Sequence, residues 1–188
     1  LAYVADGRLQ EAVNVATTYQ RTAPGSEGSA RSWIALLQGI YEDSLVANIH
    51  VDEVQQIVDQ TLEQRTELFP ATYLAGGISL LIGDLPRAKK AFTRSSETVP
   101  ANAELHLQIS AQYLFAGEYQ EAITHLQRWQ PRHPSDPRFL VTIGDAMWSL
   151  ERYGDAAIHY RSALDLDPML PDTWAQLGMI YDILEEPD

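Results

Sequence analysis

A period of 34 residues runs through the second half of the chain and constrains its fold more than any other feature. Residues 137–170 read as two helices joined by a short turn, because apolar residues recur at spacings of three and four in each half. The slots of this unit hold Leu140, Ile143, Gly144 and Met147 in the first helix, then Ala156, Tyr160, Ala163 and Leu164 in the second, before Pro168. Neither helix can bury its apolar face alone, so the unit must stack on copies of itself.

Copies of this unit occur at the same period on both sides. Together they predict an all-α solenoid of antiparallel helix pairs. One period upstream the slots hold Leu105, Ile109, Tyr113, Gly117, Tyr119, Ala122, Leu126 and Pro134. Two periods upstream they hold Gly76, Gly83, Leu85, Ala88, Phe92 and Pro100. Downstream, Trp174, Leu177, Gly178 and Tyr181 occupy the first-helix slots of a further copy.

These residues resemble the tetratricopeptide repeat family, whose signature places Trp, Leu-Gly and Tyr on helix A and Ala, an aromatic, Ala and Pro on helix B. The resemblance implies a right-handed superhelix of antiparallel helix pairs. The resemblance also predicts one array over residues 1–188. The repeat at 30–68 is irregular in this array, and it carries a longer loop at 42–51 whose role the sequence does not indicate. The other units are a partial repeat 1–29, regular repeats 69–102, 103–136 and 137–170, and a partial repeat or terminal helix 171–188.

Several residues predict details of the packing. Gly144 and Ala156 should let two helix backbones approach closely, with Tyr160 filling a wider gap. Asp84 is a predicted N-cap before Pro86, which a first helical turn tolerates. Pro131 should end the second helix of its unit early. Trp129 stands in a slot that normally holds Ala, and the sequence leaves open whether it pushes the neighbouring repeat away or fills space near small residues.

The charge of the chain bears on its partners. Its 26 acidic residues outnumber 13 basic ones, giving a net charge of −13. An acidic chain repels phosphate backbones, so nucleic-acid binding is not expected. No apolar run is long enough for a membrane span. No targeting segment is recognisable, so localisation stays unknown: cytoplasmic by default, while a periplasmic address would need a signal peptide upstream.

The sequence contains no constellation that predicts catalysis, a metal site or a cofactor. His125 and His159 lie one period apart, but a metal site needs more ligands in convergent geometry. There are no cysteines. Gly76 and Gly77 lie within a helical pattern and indicate close packing in preference to a phosphate-binding loop. We therefore expect a protein that is not an enzyme.

A second apolar stripe flanks the packing stripe on each helix A. The resemblance implies that these positions line a groove that binds a partner, and the competing interpretation is packing between adjacent repeats. The predicted groove residues are Tyr73, Gly77 and Leu80, then Leu107, Ala111 and Phe115, then Val141, Asp145 and Trp148. Repeats of this family that clamp a terminal carboxylate use Lys and Asn at such positions, and this chain has neither there. A carboxylate would be repelled near Asp145.

The leading hypothesis is a protein–protein interaction scaffold whose groove binds an apolar peptide or helix of a partner protein. One alternative is self-association, with a homo-oligomer formed through the terminal helices, where Trp174, Leu177 and Tyr181 lack a following helix B. Another is a regulatory or docking domain of a larger enzyme or of a secretion or export protein.

Overall fold

The computed structural model describes residues 69–185, together with Asn14, Thr18 and Thr22, which lie in helical segments. The rest of the predicted partial repeat 1–29, and the whole irregular repeat 30–68 with its loop at 42–51, lie outside the described residues. Residues up to Val99 belong to one compact unit, and residues from Pro100 onwards belong to a second. Every regular element between residues 69 and 185 is helical, as predicted.

Apart from Asn14, Thr18 and Thr22, the described part of the first unit is one helix pair, α1 (Phe69–Leu81) and α2 (Leu85–Thr98). Asp84 is the N-cap of α2, and its Oδ1 accepts a hydrogen bond of 3.1 Å from the backbone N–H of Arg87. Pro86 lies in the first turn of α2, where backbone N–H groups have no partner within the helix, so the missing N–H of proline costs no hydrogen bond. The predicted N-cap and first-turn proline are both confirmed. The fully buried ring of Phe92 lies directly against Gly76, where a Cβ would overlap it.

The second unit continues the pattern with five α-helices and one short 3₁₀ helix. These are α3 (Ala103–Phe115), α4 (Tyr119–Trp129), the 3₁₀ helix Gln130–Arg132, α5 (Pro137–Ser149), α6 (Tyr153–Leu166) and α7 (Pro171–Glu185). Within the second unit each α-helix packs on the next one along the chain, and α3 also contacts α5. Helix α4 ends just before Pro131 and α6 ends just before Pro168, as predicted, because proline cannot continue a helical ladder.

The turn between helices A and B has the same form in all three described pairs. The second residue after each helix A is left-handed, with φ of 77° at Gly83, 78° at Gly117 and 59° at Glu151. Only glycine adopts this conformation without a steric penalty, so Glu151 carries a local cost that the other two turns lack. The backbone N–H of the next residue donates a hydrogen bond to the carbonyl oxygen five residues earlier. The donors are Asp84, Glu118 and Arg152, and the respective acceptors are Ser79, Tyr113 and Met147.

Gly144 accommodates a side chain of the facing helix. A Cβ built on this residue would lie 2.5 Å from Cε1 of Tyr160, and Tyr160 is fully buried. The sequence predicts Gly144 as a point of close backbone approach and Tyr160 as a filler of a separate gap. In the structure the two are one feature, because the tyrosine ring occupies the space that the glycine leaves.

Trp129 fills space inside the second unit and is buried. Its indole stacks on the imidazole of His106, with ring centroids 4.3 Å apart and planes inclined by 13°. The guanidinium of Arg132 lies 4.8 Å from the indole centroid. Of the two arrangements that the sequence left open, the structure therefore has the space-filling one, with a histidine of α3 as the partner.

Helix α7 buries one face and exposes another. Leu177 and Ile180 pack into the core of the second unit, whereas Trp174 is 53% exposed and Tyr181 is 41% exposed. Within the described part of the chain, no atom lies within 4 Å of the position that a Cβ on Gly178 would occupy. Gly178 is thus the equivalent of Gly144 one period later, but among the described residues no aromatic ring packs against it.

Candidate functional site

Helices α3 and α5 and the start of α7 line a cleft of about 690 Å³ in the second unit. We call it the α3–α5–α7 cleft. Leu107 and Ala111 line it from α3, and Val141 and Asp145 line it from α5. Four of the nine predicted groove residues therefore meet at one concave surface. Its walls are mainly aliphatic, and Asp145 is the ionisable group among these four.

The other predicted groove residues lie elsewhere. Phe115 and Trp148 belong to the second unit but do not line the cleft. Phe115 is 67% exposed. Trp148 is half-buried and meets the ring of Tyr153 edge-on, with centroids 5.7 Å apart.

The three groove residues predicted in the first unit differ in exposure. Tyr73 is half-buried, and its ring centroid lies 5.9 Å from that of Phe92. Gly77 is buried, and Leu80 is half-buried. Tyr73 and Leu80 therefore each leave part of their surface accessible to a partner, and Gly77 leaves little.

A polar row in the cleft was missed by reasoning that followed only apolar stripes. Gln108, Thr142 and Gln176 all line the cleft, and they are spaced by one repeat period. The same period that predicts the fold could have found them, because equivalent slots on successive A helices face the same side of a solenoid. The start of α7 belongs to the site through Gln176, although the predicted groove residues include none from the partial repeat or terminal helix 171–188.

Asp145 is the polar centre of the cleft. Its Oδ1 accepts a hydrogen bond of 2.7 Å from the hydroxyl of Tyr160 and another of 3.0 Å from Nε2 of Gln176. Burial raises the pKa of the Asp145 carboxyl above its usual value, although both hydrogen bonds act in the opposite direction. The Tyr160 hydroxyl reaches this carboxylate because its ring lies against Gly144, the residue before Asp145. Repeat packing and the site are thus connected through neighbouring residues.

The rim of the cleft carries a second row at the repeat period: Glu104, Arg138 and Asp172. Arg138 donates to Glu104 at 3.0 Å and to Oδ2 of its neighbour Asp136 at 2.8 Å. The hydrogen bonds from Arg138 lower the pKa of the Asp136 carboxyl. Among the described residues, the one cation that lines the cleft is therefore already paired with two carboxylates.

Three histidines form a cluster in the second unit, apart from the cleft lining. His106 lies 5.5 Å from His125 and 5.7 Å from His133, measured between ring centroids. Burial, together with nearby basic groups, lowers the pKa of His106 to about 4, although a hydrogen bond to the Pro100 carbonyl acts in the opposite direction. Burial and nearby basic groups also lower the pKa of His125 to about 3. Within the described residues no group of three or more His, Asp or Glu side chains has the arrangement to hold a metal ion.

Comparisons with known proteins bear on the family and the fold of this chain. The tetratricopeptide repeat family model matches residues 82–137 and 112–171. The BBSome complex member BBS4 of Bos taurus is 29% identical over 111 residues, which are 58% of this chain and 21% of that protein. This chain thus spans about a fifth of the length of that curated relative.

Two solved structures share the fold. The thermophilic tetratricopeptide repeat protein TTC0263 of Thermus thermophilus superposes with a TM-score of 0.55 at 16% identity, covering 94% of this chain and 92% of that one. The first repeat domain of Spaghetti (RPAP3), bound to the HSP90 peptide SRMEEVD, gives a TM-score of 0.50 at 18% identity, covering 63% and 94%. Residues 82–171 match the tetratricopeptide repeat family, as the sequence predicts, and the predicted all-α solenoid fold is confirmed.

Tetratricopeptide repeats are protein–protein interaction modules and are generally non-catalytic scaffolds. At this coarse level, the chain is a protein–protein interaction module. None of the helices between residues 69 and 185 has both the length and the apolar character that crossing a bilayer requires.

Proposed function

We propose that this chain is a non-enzymatic interaction scaffold that binds an apolar peptide or helix of a partner protein on the faces of its A helices. The α3–α5–α7 cleft is the observation that carries this proposal. It is concave, mainly aliphatic and large enough to take several side chains of a peptide. Phe115 adds an exposed aromatic ring on α3, and aromatic side chains commonly dominate the binding free energy of an interface.

The charge of the cleft separates it from grooves that bind acidic peptide ends. SRMEEVD, the peptide on the Spaghetti domain, carries three acidic residues and a terminal carboxylate. In this chain a peptide of that kind would meet Glu104, Asp145 and Asp172, and Arg138 is already paired. An unfavourable charge contact costs affinity, so the proposed partner is not acidic at this point.

Substitutions in the cleft wall test the proposal. Peptides selected from a random display library on the full chain would be measured by calorimetry against the Leu107→Ala/Val141→Ala variant. We expect affinity to fall about tenfold or more, because truncated interface anchors cost at least about 1–2 kcal/mol. Ile158→Ala removes a comparable aliphatic group from the exposed surface of α6 and should bind normally. Selection of no peptide, or equal losses in both variants, would refute the proposal.

The predicted groove residues outside the cleft are tested in the same assay. Phe115→Ala should weaken binding while leaving helical content unchanged, because the ring is largely exposed in the free protein. Tyr73, Gly77 and Leu80 remain predicted groove residues of the first unit, and Trp148 one of the second. For Trp148, packing on Tyr153 makes a loss of stability on truncation expected as well.

Self-association is the second candidate, and the exposed face of α7 favours it. Trp174, Met179 and Tyr181 leave apolar side-chain surface accessible on that helix, and such surfaces commonly mark interfaces. Light scattering over a concentration series would show a dimer that Tyr181→Glu dissociates. A monomer at every concentration would exclude this candidate. A docking role within a larger enzyme or export protein stays a third hypothesis, which the flanking reading frame would decide.

A further inference from the structure

The ionisable groups of the α3–α5–α7 cleft leave it negatively charged. Among the described residues that line it, Glu104, Asp145 and Asp172 face one base, Arg138. That base is held by Glu104 at 3.0 Å and by Asp136 at 2.8 Å, so its charge is already compensated. A ligand entering the cleft therefore meets aliphatic walls and the carboxylates of Asp145 and Asp172, for which the described residues supply no ion pair.

Asp145 has one oxygen available to a ligand. Both of its hydrogen bonds within the protein, from Tyr160 and from Gln176, end on Oδ1. Among the described residues no hydrogen bond ends on Oδ2, and Asp145 is a half-buried residue that lines the cleft. The two donors fix the orientation of the carboxylate, because Tyr160 is itself fully buried and cannot follow a rotation of Asp145. The result is a partly desolvated anion with a defined free oxygen in an apolar cleft.

We propose that the α3–α5–α7 cleft takes a lysine or arginine side chain of an otherwise apolar partner segment, with the cationic group on Oδ2 of Asp145. This inference rests on the proposed function and specifies the partner of the same site. The aliphatic stem of such a side chain packs along Leu107 and Val141, while its charged end reaches the carboxylate. A charge-assisted hydrogen bond to a desolvated carboxylate is stronger than one between neutral groups.

Charge complementarity favours a segment with one basic side chain over a purely apolar segment and over an acidic one. A purely apolar segment would cover Asp145 without replacing the water that it loses, which carries a desolvation cost. An acidic segment would add repulsion from Asp145 and from Asp172 at the rim. A segment with one cation among apolar residues satisfies both the walls and the carboxylate.

Peptide selection on matched variants tests the inference. A display library of random dodecapeptides would be selected on the wild-type chain, on Asp145→Asn and on Asp165→Asn. Asparagine keeps an Oδ1 that accepts from Tyr160 and Gln176, so the first variant removes the charge with little change of shape. Asp165→Asn removes the same charge from the exposed surface of α6, outside the cleft. We expect Lys or Arg within apolar motifs on the wild type and on Asp165→Asn, and apolar motifs alone on Asp145→Asn.

A second measurement does not depend on the folding of any variant. In the best wild-type peptide the basic residue is replaced by norleucine or by glutamate, and affinities for the wild-type chain are compared. Norleucine should weaken binding about tenfold, and glutamate should weaken it further, as expected for a close charge pair. On Asp145→Asn the lysine and norleucine peptides should differ by less than about twofold.

The outcomes separate this inference from the proposed function. Apolar peptides that bind the cleft without any preference for a cation would overturn the inference and leave the scaffold function in place. A cation preference that Asp165→Asn removes as strongly as Asp145→Asn would also overturn it, because the general acidity of the chain would then be the cause. Selection of no peptide would reject both.

Discussion

Tyr160 occupies the space that Gly144 leaves free, so that a Cβ on Gly144 would lie 2.5 Å from Cε1 of the ring. The tyrosine hydroxyl then reaches Oδ1 of Asp145 at 2.7 Å. One glycine on α5 thus determines both how α6 packs and how the carboxylate of the cleft is oriented. The pair Gly76 and Phe92 repeats the packing half of this relationship in the first unit.

Gly144→Ala should destabilise the chain by about 1–3 kcal/mol, because the added methyl group overpacks the fully buried ring. Denaturant unfolding followed by circular dichroism measures this change. The double variant Gly144→Ala/Tyr160→Leu should recover part of the lost free energy of unfolding. The repeat at 103–136 combines Ser110 with Leu126 at the equivalent positions, so a residue with a Cβ is compatible with a leucine there. Gly178→Ala is the matched control, and it should stabilise α7 by about 0.5–1 kcal/mol, because no described atom lies near the new methyl. A similar effect of both alanines would contradict the role of the ring.

Glu151→Gly should stabilise the second unit. Glu151 has φ of 59° in the turn where the two preceding pairs have glycine. Removing its Cβ relieves a penalty of about 1 kcal/mol for a left-handed residue, part of which is offset by the greater freedom of glycine in the unfolded chain. The reciprocal change, Gly117→Ala, should destabilise by a similar amount. Thermal melting of the two variants should shift in opposite directions, and shifts of the same sign would refute the explanation.

Trp129→Ala should cost about 3–5 kcal/mol, the range for deleting a large buried side chain. The substitution leaves a cavity beside His106 and the core of the second unit. Trp174→Ala is the control of the same chemical type, and it should cost much less because that indole is 53% exposed. Urea unfolding of both variants gives the comparison. If Trp129→Ala lowered the free energy of unfolding no more than Trp174→Ala, the expected cavity would not form, because α4 would have moved to fill it.

The histidine cluster should make the chain less stable at mildly acidic pH. The folded-state pKa of His106 is about 4 and that of His125 is about 3, both below the ordinary value of 6.5. Protonation therefore favours the unfolded chain. The stabilisation is complete above about pH 6.5 and is lost as the pH falls towards 4, by up to about 1.4 kcal/mol per histidine and pH unit.

Urea unfolding at pH 7 and pH 5 measures this linkage. We expect a loss of about 2–4 kcal/mol over that interval in the wild type. His125→Leu removes one of the two titrating groups and should reduce the loss by about half. An unchanged pH dependence in that variant would assign the effect to other groups.

Much of the fold follows from residue types at fixed spacing. The period predicts the helix pairs, Asp84 and Pro86 predict where α2 begins, and Pro131 predicts the early end of α4. These features depend on neighbours in sequence, on capping and on the missing N–H of proline, so the sequence is sufficient for them.

The cleft could be predicted only in part. The period places Leu107, Ala111, Val141 and Asp145 on one side of successive A helices, and these four line it. The bond between Asp145 and Gln176 depends on the tilt of α7, and the stack of Trp129 on His106 depends on side-chain conformations in two different helices. Spacing along the chain does not encode either. The polar row of Gln108, Thr142 and Gln176 was recognisable, but only if polar slots are compared as carefully as apolar ones.

The slot that holds Gly144 also limits how such a protein can be rearranged by recombination. Ser110 stands there in α3, and a chimera that joins α3 directly to α6 would drive the Tyr160 ring into the serine Cβ. The helices between residues 69 and 166 are consequently not interchangeable modules, since in these three pairs each helix B is matched in bulk to its own helix A. Duplication of whole repeats conserves that match, whereas crossover inside a repeat breaks it.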